Sequence, residues 1–440
     1  MKRYETYKDS GILWLDAIPS HWHEEKLKHI STCNDEVLSE DTPDELIIHY
    51  VEISDVDSVA GINNHTDYPF ANAPSRARRI TRKNDVIIST VRTYLKAIAT
   101  VKEDDLIVST GFAVIRPTKV NQKYLAYSLL NDDFLGEVIS KSVGVSYPAI
   151  NATDLIEIKI PVPPREEQET IAAFLDHKVG QIDATIAEKE QMLKDLQAYR
   201  SAIISEAVTK GLDKNVEMKD SGIEWMGEIP SHWDIVKTSY LFDDIGSGTT
   251  PNTNDDSLYD ADNGINWLQT GDLNDGHITK TSKKISQKAI EGNSTLRLYP
   301  VNSLVIALYG ATIGKVGVLD IETTTNQACC VLPPSDKVLT DYAYYVFIAS
   351  KKALLNLASG GGQPNISQAI IKNHRIPYPS YVEQQAITTY LDNKVEQIGK
   401  TLIELESQIH DLKSYKSALI TEAVTGKIDL RDWKPKEEKV

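Results

Sequence analysis

An internal repeat is the feature that most constrains what this 440-residue chain can fold into. Residues 8–22 (KDSGILWLDAIPSHW) recur at 219–233 as KDSGIEWMGEIPSHW. Residues 160–183 (IPVPPREEQETIAAFLDHKVGQID) recur at 376–399 as IPYPSYVEQQAITTYLDNKVEQIG. Neither match is of low complexity. We therefore interpret the chain as a tandem duplication, in which each half has a constant opening motif, a variable domain and a constant exit.

The repeat divides the chain into five segments. They are an N-terminal constant segment (1–23), a first variable domain (24–150), a central constant region (151–234), a second variable domain (235–366) and a C-terminal constant region (367–440). Short β-rich runs bounded by polar turns occur in the variable domains at 86–90, 106–110, 112–117, 304–310 and 315–321. One helical pattern follows in each domain, over 121–141 and 339–359. The predicted fold class is α+β, with two α/β domains.

The constant exits are predicted to be long helices. Acidic residues occupy the first turn of the first helix (Glu166, Glu167, Glu169), and Ser380 with Glu383 forms a capping-box pattern at the second. Gly211 and Gly426 mark the two C-terminal ends. Both helices carry apolar residues at a spacing of three and four, which predicts an antiparallel coiled coil with pseudo-twofold symmetry and a variable domain at each end. The alternative is that each apolar seam packs only on its own domain.

Charge is unevenly distributed along the chain. The net charge of −16 argues against nucleic-acid binding, but acidic stretches at 33–58 and 238–279 precede basic stretches at 70–100 and 277–317. An acidic surface elsewhere would confine DNA contact to defined patches. The alternative is that these stretches are ordinary solvated faces.

Candidate DNA contacts follow from the basic stretches and from the loops between β-runs. In the first domain, the predicted phosphate binders are Arg76, Arg78, Arg79, Arg82 and Lys83, and the predicted contacts to base edges or groove backbone are Arg92, Tyr94 and Lys96, with Tyr147 from a later loop. In the second domain, the phosphate candidates are Lys283, Lys284 and Arg297, and the loop candidates are Tyr309, Thr312, Lys315, Gln363 and Asn365.

We find no sequence motif for catalysis, metal binding or membrane insertion. The loop 310–315 (GATIGK) has three residues between its glycines and Val316 where a phosphate loop needs Ser or Thr. His21 and His232 are interpreted as hydrogen-bonding residues of a turn rather than metal ligands. The three cysteines lack zinc-site spacing, and no apolar run is long enough to span a membrane. We expect a cytoplasmic protein with no catalytic, metal or cofactor site of its own.

The order of motifs resembles a known family. DSGIxWxxxIPSHW, then a variable domain, then IPxPxxxEQxxIxxxLDxKVxQI running into a long helix, resembles the specificity subunit of type I restriction–modification enzymes. The variable domains resemble the target-recognition domains of that family. The resemblance covers roughly residues 8–430, and the constant motifs occur twice.

The resemblance implies a non-catalytic DNA reader. Each recognition domain would read one half of a bipartite, asymmetric double-stranded target, and the helices would set the gap and dock two methyltransferase subunits. S-adenosylmethionine, ATP and Mg²⁺ would be bound by partner subunits, which include two nuclease–translocase subunits where these are present. Two alternatives are a coiled-coil scaffold that binds only protein and the reader of a related, modification-only methyltransferase complex.

Overall fold

The computed structural model describes residues 2–57, 61–358 and 364–435. The first half forms strands and short helices ahead of one long helix. In chain order these are β1 (Tyr7–Ile12), β2 (Leu15–Pro19), β3 (His23–Lys26), α1 (Leu27–Ile30), β4 (Ser31–Cys33), β5 (Ile47–Val51), β6 (Val56–Asp57), β7 (Gly61–Ile62), β8 (Thr66–Pro69), β9 (Ala77–Ile80), β10 (Val86–Ser89), β11 (Ile98–Thr100), β12 (Leu106–Ser109), β13 (Phe112–Pro117), α2 (Gln122–Leu130), α3 (Asp132–Ser140), α4 (Ala152–Leu155), β14 (Lys159–Val162) and α5 (Arg165–Lys210).

The second half repeats this order with differences in the variable domain. Its elements are β15 (Met218–Asp220), β16 (Glu228–Pro230), β17 (Asp234–Lys237), α6 (Thr238–Leu241), β18 (Ile265–Leu268), β19 (Gly276–Ile278), β20 (Lys283–Ile285), α7 (Gln287–Glu291), β21 (Leu304–Ala307), β22 (Val316–Leu319), β23 (Thr324–Thr325), β24 (Cys329–Leu332), α8 (Thr340–Asn356), α9 (Gln368–Asn373), β25 (Arg375–Tyr378) and α10 (Tyr381–Val424). Within the described residues, no helix combines the length and apolar character needed to cross a membrane.

The two variable domains share strand pairings although their sequences diverge. In the first, β10 pairs antiparallel with both β11 and β13, and β5 pairs parallel with β12. In the second, β21 pairs antiparallel with both β22 and β24, and β18 pairs parallel with β23. These matching pairings, in domains that also contain α2, α3 and α8, confirm the α+β class and the structural repeat.

Helix boundaries agree with the sequence except at one point. The pattern over 339–359 contains the single helix α8, but the pattern over 121–141 is divided into α2 and α3. The prediction of one helix there is wrong because Asn131 takes an extended backbone conformation and its side chain accepts a hydrogen bond from the backbone N–H of Asp133. Asn followed by two aspartates is an N-cap sequence, and this cap outweighs the apolar period.

The chain divides into two compact units. Unit 1 contains residues 1–191 and 405–440, and unit 2 contains residues 192–404. Each unit therefore takes about half of α5 and about half of α10. In unit 1 the helix halves run antiparallel: Lys416 Nζ lies 2.8 Å from Asp183 Oδ1, and Lys413 Nζ lies 3.2 Å from Glu190 Oε1. In unit 2, Ile204 and Val208 of α5 share a buried core with Ile387 and Leu391 of α10. The two helix seams therefore meet in both units, as the coiled-coil interpretation requires.

The repeated Ser-His-Trp motif fixes the beginning of each long helix. Trp22 Nε1 donates to Glu167 at 3.0 Å, and His21 Nε2 lies 2.6 Å from the same carboxylate. Trp233 and His232 contact Glu383 in the same way, at 3.0 and 2.8 Å. Burial opposes ionisation of Glu383, but these hydrogen bonds and those from Ser380 outweigh it and lower the pKa of the carboxyl to about 2. The interpretation of both histidines as structural hydrogen-bonding residues is confirmed.

The same tryptophans lie against the ends of the long helices. Gly426 follows α10 with φ +72°, and a side chain there would lie 2.4 Å from Pro19 Cδ and 3.2 Å from Trp22. Gly211 follows α5 with φ +73°, and a side chain there would lie 3.1 Å from Trp233. Glycine is required at both positions by the left-handed backbone and by the close approach of the opening motif.

Candidate nucleic-acid interface

Two loops come together at one edge of each variable domain. In unit 1, the connection between β10 and β11 (90–97) meets residues 142–149. Val91 bridges Ala149, and the Ile150 N–H donates to Thr90 O at 2.9 Å. In unit 2, the connection between β21 and β22 (308–315) meets residues 364–367. Tyr309 bridges Asn365, and the Ile366 N–H donates to Leu308 O at 2.8 Å. We name these the first and second loop pairs, and their backbone contacts are equivalent.

Four predicted residues of the first domain lie in the first loop pair, namely Arg92, Tyr94, Lys96 and Tyr147. The guanidinium of Arg92 stacks over the ring of Tyr147, with Cζ 4.8 Å from the ring centroid, and Tyr94 is exposed beside them. Arg stacked on an aromatic ring keeps its fork of N–H donors available. The structure thus brings the ring of Tyr147 onto Arg92, although the two residues are far apart in sequence.

The tip of the first loop pair has an unusual backbone. Arg92 and Lys96 flank a single 3₁₀ turn, Thr93–Leu95, and both are left-handed, with φ of 51° and 50°. Residues with a Cβ rarely adopt this conformation, which costs about 1–2 kcal/mol each. The hydrogen bond between Thr93 Oγ1 and Ser142 Oγ (2.7 Å) helps to hold the turn. Lys96 is directed to Asp132, with Nζ 2.6 Å from Oδ1.

Apolar residues around this tip were not among the sequence candidates. Leu95, Val143 and Val145 are exposed, Val145 completely. The available sequence signal was the run SVGVSY, in which valines alternate with Gly and Ser in a polar segment.

The second loop pair carries different chemistry at equivalent backbone positions. Tyr309 is half-buried against the domain core, Lys315 is half-buried and Asn365 is exposed. Thr312 Oγ1 is buried and has no hydrogen-bond partner among the described residues. Gln363 lies outside the described residues.

The remaining basic candidates of the first domain lie along β9 and beyond both of its ends. Arg76 is at the end next to the first loop pair, because its carbonyl accepts from Thr110 N–H while the Gly111 carbonyl accepts from Thr90 N–H. Arg82 and Lys83 are exposed beyond the opposite end. Arg78 stacks over Phe70, with Cζ 5.0 Å from the centroid. Burial lowers the pKa of the Arg79 guanidinium, which is half-buried near Cys33 and so is less accessible than the basic pattern predicts.

In the second domain the basic candidates are separated. Lys283 and Lys284 lie on β20, where Lys283 is exposed and Lys284 Nζ donates to Asp262 O at 3.0 Å. Arg297 stacks over Tyr299 at 4.7 Å and forms an ion pair with Asp244. This side chain therefore faces its own domain.

Several of these cations are paired with carboxylates from the preceding acidic stretch. Arg76 pairs with Glu52, and Arg82 pairs with Glu36. Exposed ion pairs contribute only about 0–1 kcal/mol, so a phosphate oxygen can replace the carboxylate at little cost. The sequence showed the acidic and basic stretches but not this pairing. The assignment of individual contacts to phosphate or base stays a prediction.

Comparison with known proteins places the fold in a family. The family model described as type I restriction modification DNA specificity domain matches residues 58–195 and 230–410. The chain belongs to this family. The specificity-domain match falls once on each half, in agreement with the internal repeat, and confirms the resemblance found in the constant motifs.

Three similar proteins are named as type I restriction enzyme specificity subunits. It is 30% identical over 188 residues to the type I restriction enzyme MjaIX specificity subunit of Methanocaldococcus jannaschii, a match that covers 41% of this chain and 42% of that protein. It is 27% identical over 322 residues to the MjaVIII specificity subunit of the same organism, covering 70% and 71%. It is 22% identical over 334 residues to the EcoBI specificity subunit of Escherichia coli, covering 71% and 67%. The chain thus spans under half of the MjaIX subunit and two thirds or more of the other two.

A solved structure shares the fold over nearly the whole length. A chain from a study of complex assembly and conformational transition in the type I R-M system aligns with a TM-score of 0.73 at 24% identity, covering 93% of this chain and 99% of that one. The two chains therefore share the same fold.

Proposed function

We propose that this chain is the non-catalytic specificity subunit of a cytoplasmic type I restriction–modification complex. Each variable domain reads one half of a bipartite, asymmetric sequence in double-stranded DNA. The paired helices α5 and α10 set the gap between the half-sites and dock two methyltransferase subunits. In this proposal the partner subunits bind S-adenosylmethionine, and nuclease–translocase subunits, where present, bind ATP and Mg²⁺.

The observation that carries the proposal is the pair of equivalent loops with unlike side chains. The first loop pair presents the exposed side chains of Arg92, Tyr94 and Tyr147, whereas the second carries a half-buried Lys315 and an exposed Asn365. Arg fits the guanine edge and Asn the adenine edge of a base pair, so the two domains differ in the bases they suit. Loops with the same backbone contacts but different side chains favour a target with two different half-sites over a palindromic target.

The long helices suit the role of a spacer because they are continuous and mutually paired in each unit. Contacts such as Lys416–Asp183 and Lys189–Gln408 (2.6 Å) fix their register in unit 1. A protein-only scaffold would share this coiled coil but would not need the exposed cation and aromatic rings of the first loop pair. Steep loss of DNA affinity with rising salt separates the two functions, because phosphate contacts release counterions.

Replacing Arg92 with alanine tests modular reading. We expect the variant to accept more bases at one position of one half-site, with a loss of discrimination of about 1–3 kcal/mol, because one bidentate contact is removed. The measurement is sequencing of methylated adenines in a randomised target library, with the methyltransferase subunits present. Overall methylation of the original target should persist through the second half-site and phosphate contacts.

Lys315→Ala is the matched control in the second loop pair. Its effect, whether on affinity or base choice, should be confined to the other half-site. If either variant changes both half-sites equally, the two domains do not read independently and the proposal is wrong.

A further inference from the structure

Two histidines and an aspartate converge on neighbouring strands of the first variable domain. His49 on β5 and Asp67 on β8 are direct cross-strand partners, and His65 immediately precedes β8. Their ligand atoms all lie within 4.8 Å of one another. Over residues 2–57, 61–358 and 364–435, this is the only group of three or more His, Cys, Asp or Glu side chains arranged in this way.

We propose that His49, His65 and Asp67 form a binding site for a divalent transition-metal ion of the Zn²⁺ type. Asp67 Oδ1 lies 2.7 Å from His49 Nδ1 and 3.5 Å from His65 Nε2. In a tetrahedral site with bonds of about 2.0–2.1 Å, ligand atoms are separated by roughly 3.4 Å. The 3.5 Å separation is near this value, and the His49–Asp67 hydrogen bond at 2.7 Å would lengthen as both groups turn toward the ion.

The donor set selects the class of ion. Imidazole nitrogens with one carboxylate favour Zn²⁺, Cu²⁺ or Ni²⁺, whereas Mg²⁺ and Ca²⁺ prefer oxygen ligands. The side chains are accessible, with exposed fractions of 44% for His49, 40% for His65 and 57% for Asp67. The ion would join the edge strand β8 to β5 and keep at least one position open to solvent. The inference does not depend on the proposed function.

Isothermal titration of the full-length, untagged chain with ZnCl₂ tests the site. We expect one equivalent to bind with saturable heat and MgCl₂ to produce none. His65→Ala should weaken Zn²⁺ binding at least about tenfold, since even partners outside the coordination shell contribute about 10–100-fold. Zn²⁺ should also raise the melting temperature of the wild type more than that of this variant, because a ligand that binds only the folded state stabilises it in step with its affinity.

His277→Ala is the matched control. His277 Nδ1 lies 2.9 Å from Asp320 Oδ1 in an exposed His–Asp pair of unit 2, and within the part of the chain that the structure describes this pair belongs to no three-ligand group. Its loss should leave Zn²⁺ affinity unchanged. The proposal is overturned if the wild type binds no Zn²⁺, or if His65→Ala and His49→Gln, both folded by circular dichroism, bind it as tightly as the wild type.

Discussion

Trp22→Ala is expected to lower the stability of unit 1 by about 3–5 kcal/mol, the range for deleting a fully buried large aromatic side chain. Trp22 is 1% exposed and contacts two distant parts of the chain, Glu167 at the beginning of α5 and Gly426 after α10. Its removal leaves a cavity and takes one hydrogen-bond donor from a carboxylate. Hydrogen exchange measured by mass spectrometry should show lost protection in residues 165–191 and 405–424, and thermal melting should begin earlier.

Two further variants test the role of Trp22. One separates the effect of packing from that of the hydrogen bond, and the other shows whether the effect is confined to one unit. Trp22→Phe retains a ring but not the N–H donor to Glu167, so its loss should be smaller than that of alanine. Trp233→Ala should move the loss of protection to unit 2, because Trp233 makes the equivalent contact with Glu383. Unchanged melting in Trp22→Ala, or equal loss of protection in both units for either alanine variant, would contradict this role of the opening motif.

Inserting one heptad into both long helices is expected to change the DNA gap and nothing else. The insertion points are after Gln191 in α5 and after Glu404 in α10, where the two compact units divide. Seven residues add about 10 Å at 1.5 Å per residue, and the apolar seam is nearly preserved because a heptad is close to two turns. If the helices set the spacing, the gap should lengthen by about three base pairs, since ten pairs span about 34 Å.

The control insertion changes only α5. Without a matching insertion in α10, the pairing of 165–191 with 405–424 in unit 1 and that of 192–210 with 381–404 in unit 2 can no longer both be kept, so methylation should fall at every gap length. Methylated targets from the double insertion are read by sequencing libraries with variable gaps. An unchanged gap with retained methylation would remove the spacer role from the helices.

The parts of the fold that were predictable from sequence depend on local signals or on repetition. Ser380 and Glu383 cap α10 as the pattern indicates, and Gly211 and Gly426 adopt the left-handed conformation expected after a helix. The break at Asn131 was missed because a single N-cap residue interrupted an otherwise continuous apolar period. Local capping energy can outweigh such a pattern.

The candidate site was only partly predictable because it is assembled by tertiary contacts. Arg92 and Tyr147 were individual candidates, but their stacking depends on the bridge between Val91 and Ala149 across the domain. The pairing of Arg76 with Glu52, and the burial of Arg79, depend on the strand order of the sheet rather than on charge along the chain. Charge patterning locates the basic segments along the chain, but the sheet determines which of their cations face outward.

Mapping of methylated adenines tests the central claim most directly. The chain is expressed with its methyltransferase subunits in cells that lack other adenine methylation, and the genome is read by single-molecule sequencing. We expect a single motif made of two unlike half-sites with a fixed gap between them. A palindromic motif, one continuous motif without a gap, or methylation that does not depend on this chain would contradict the account.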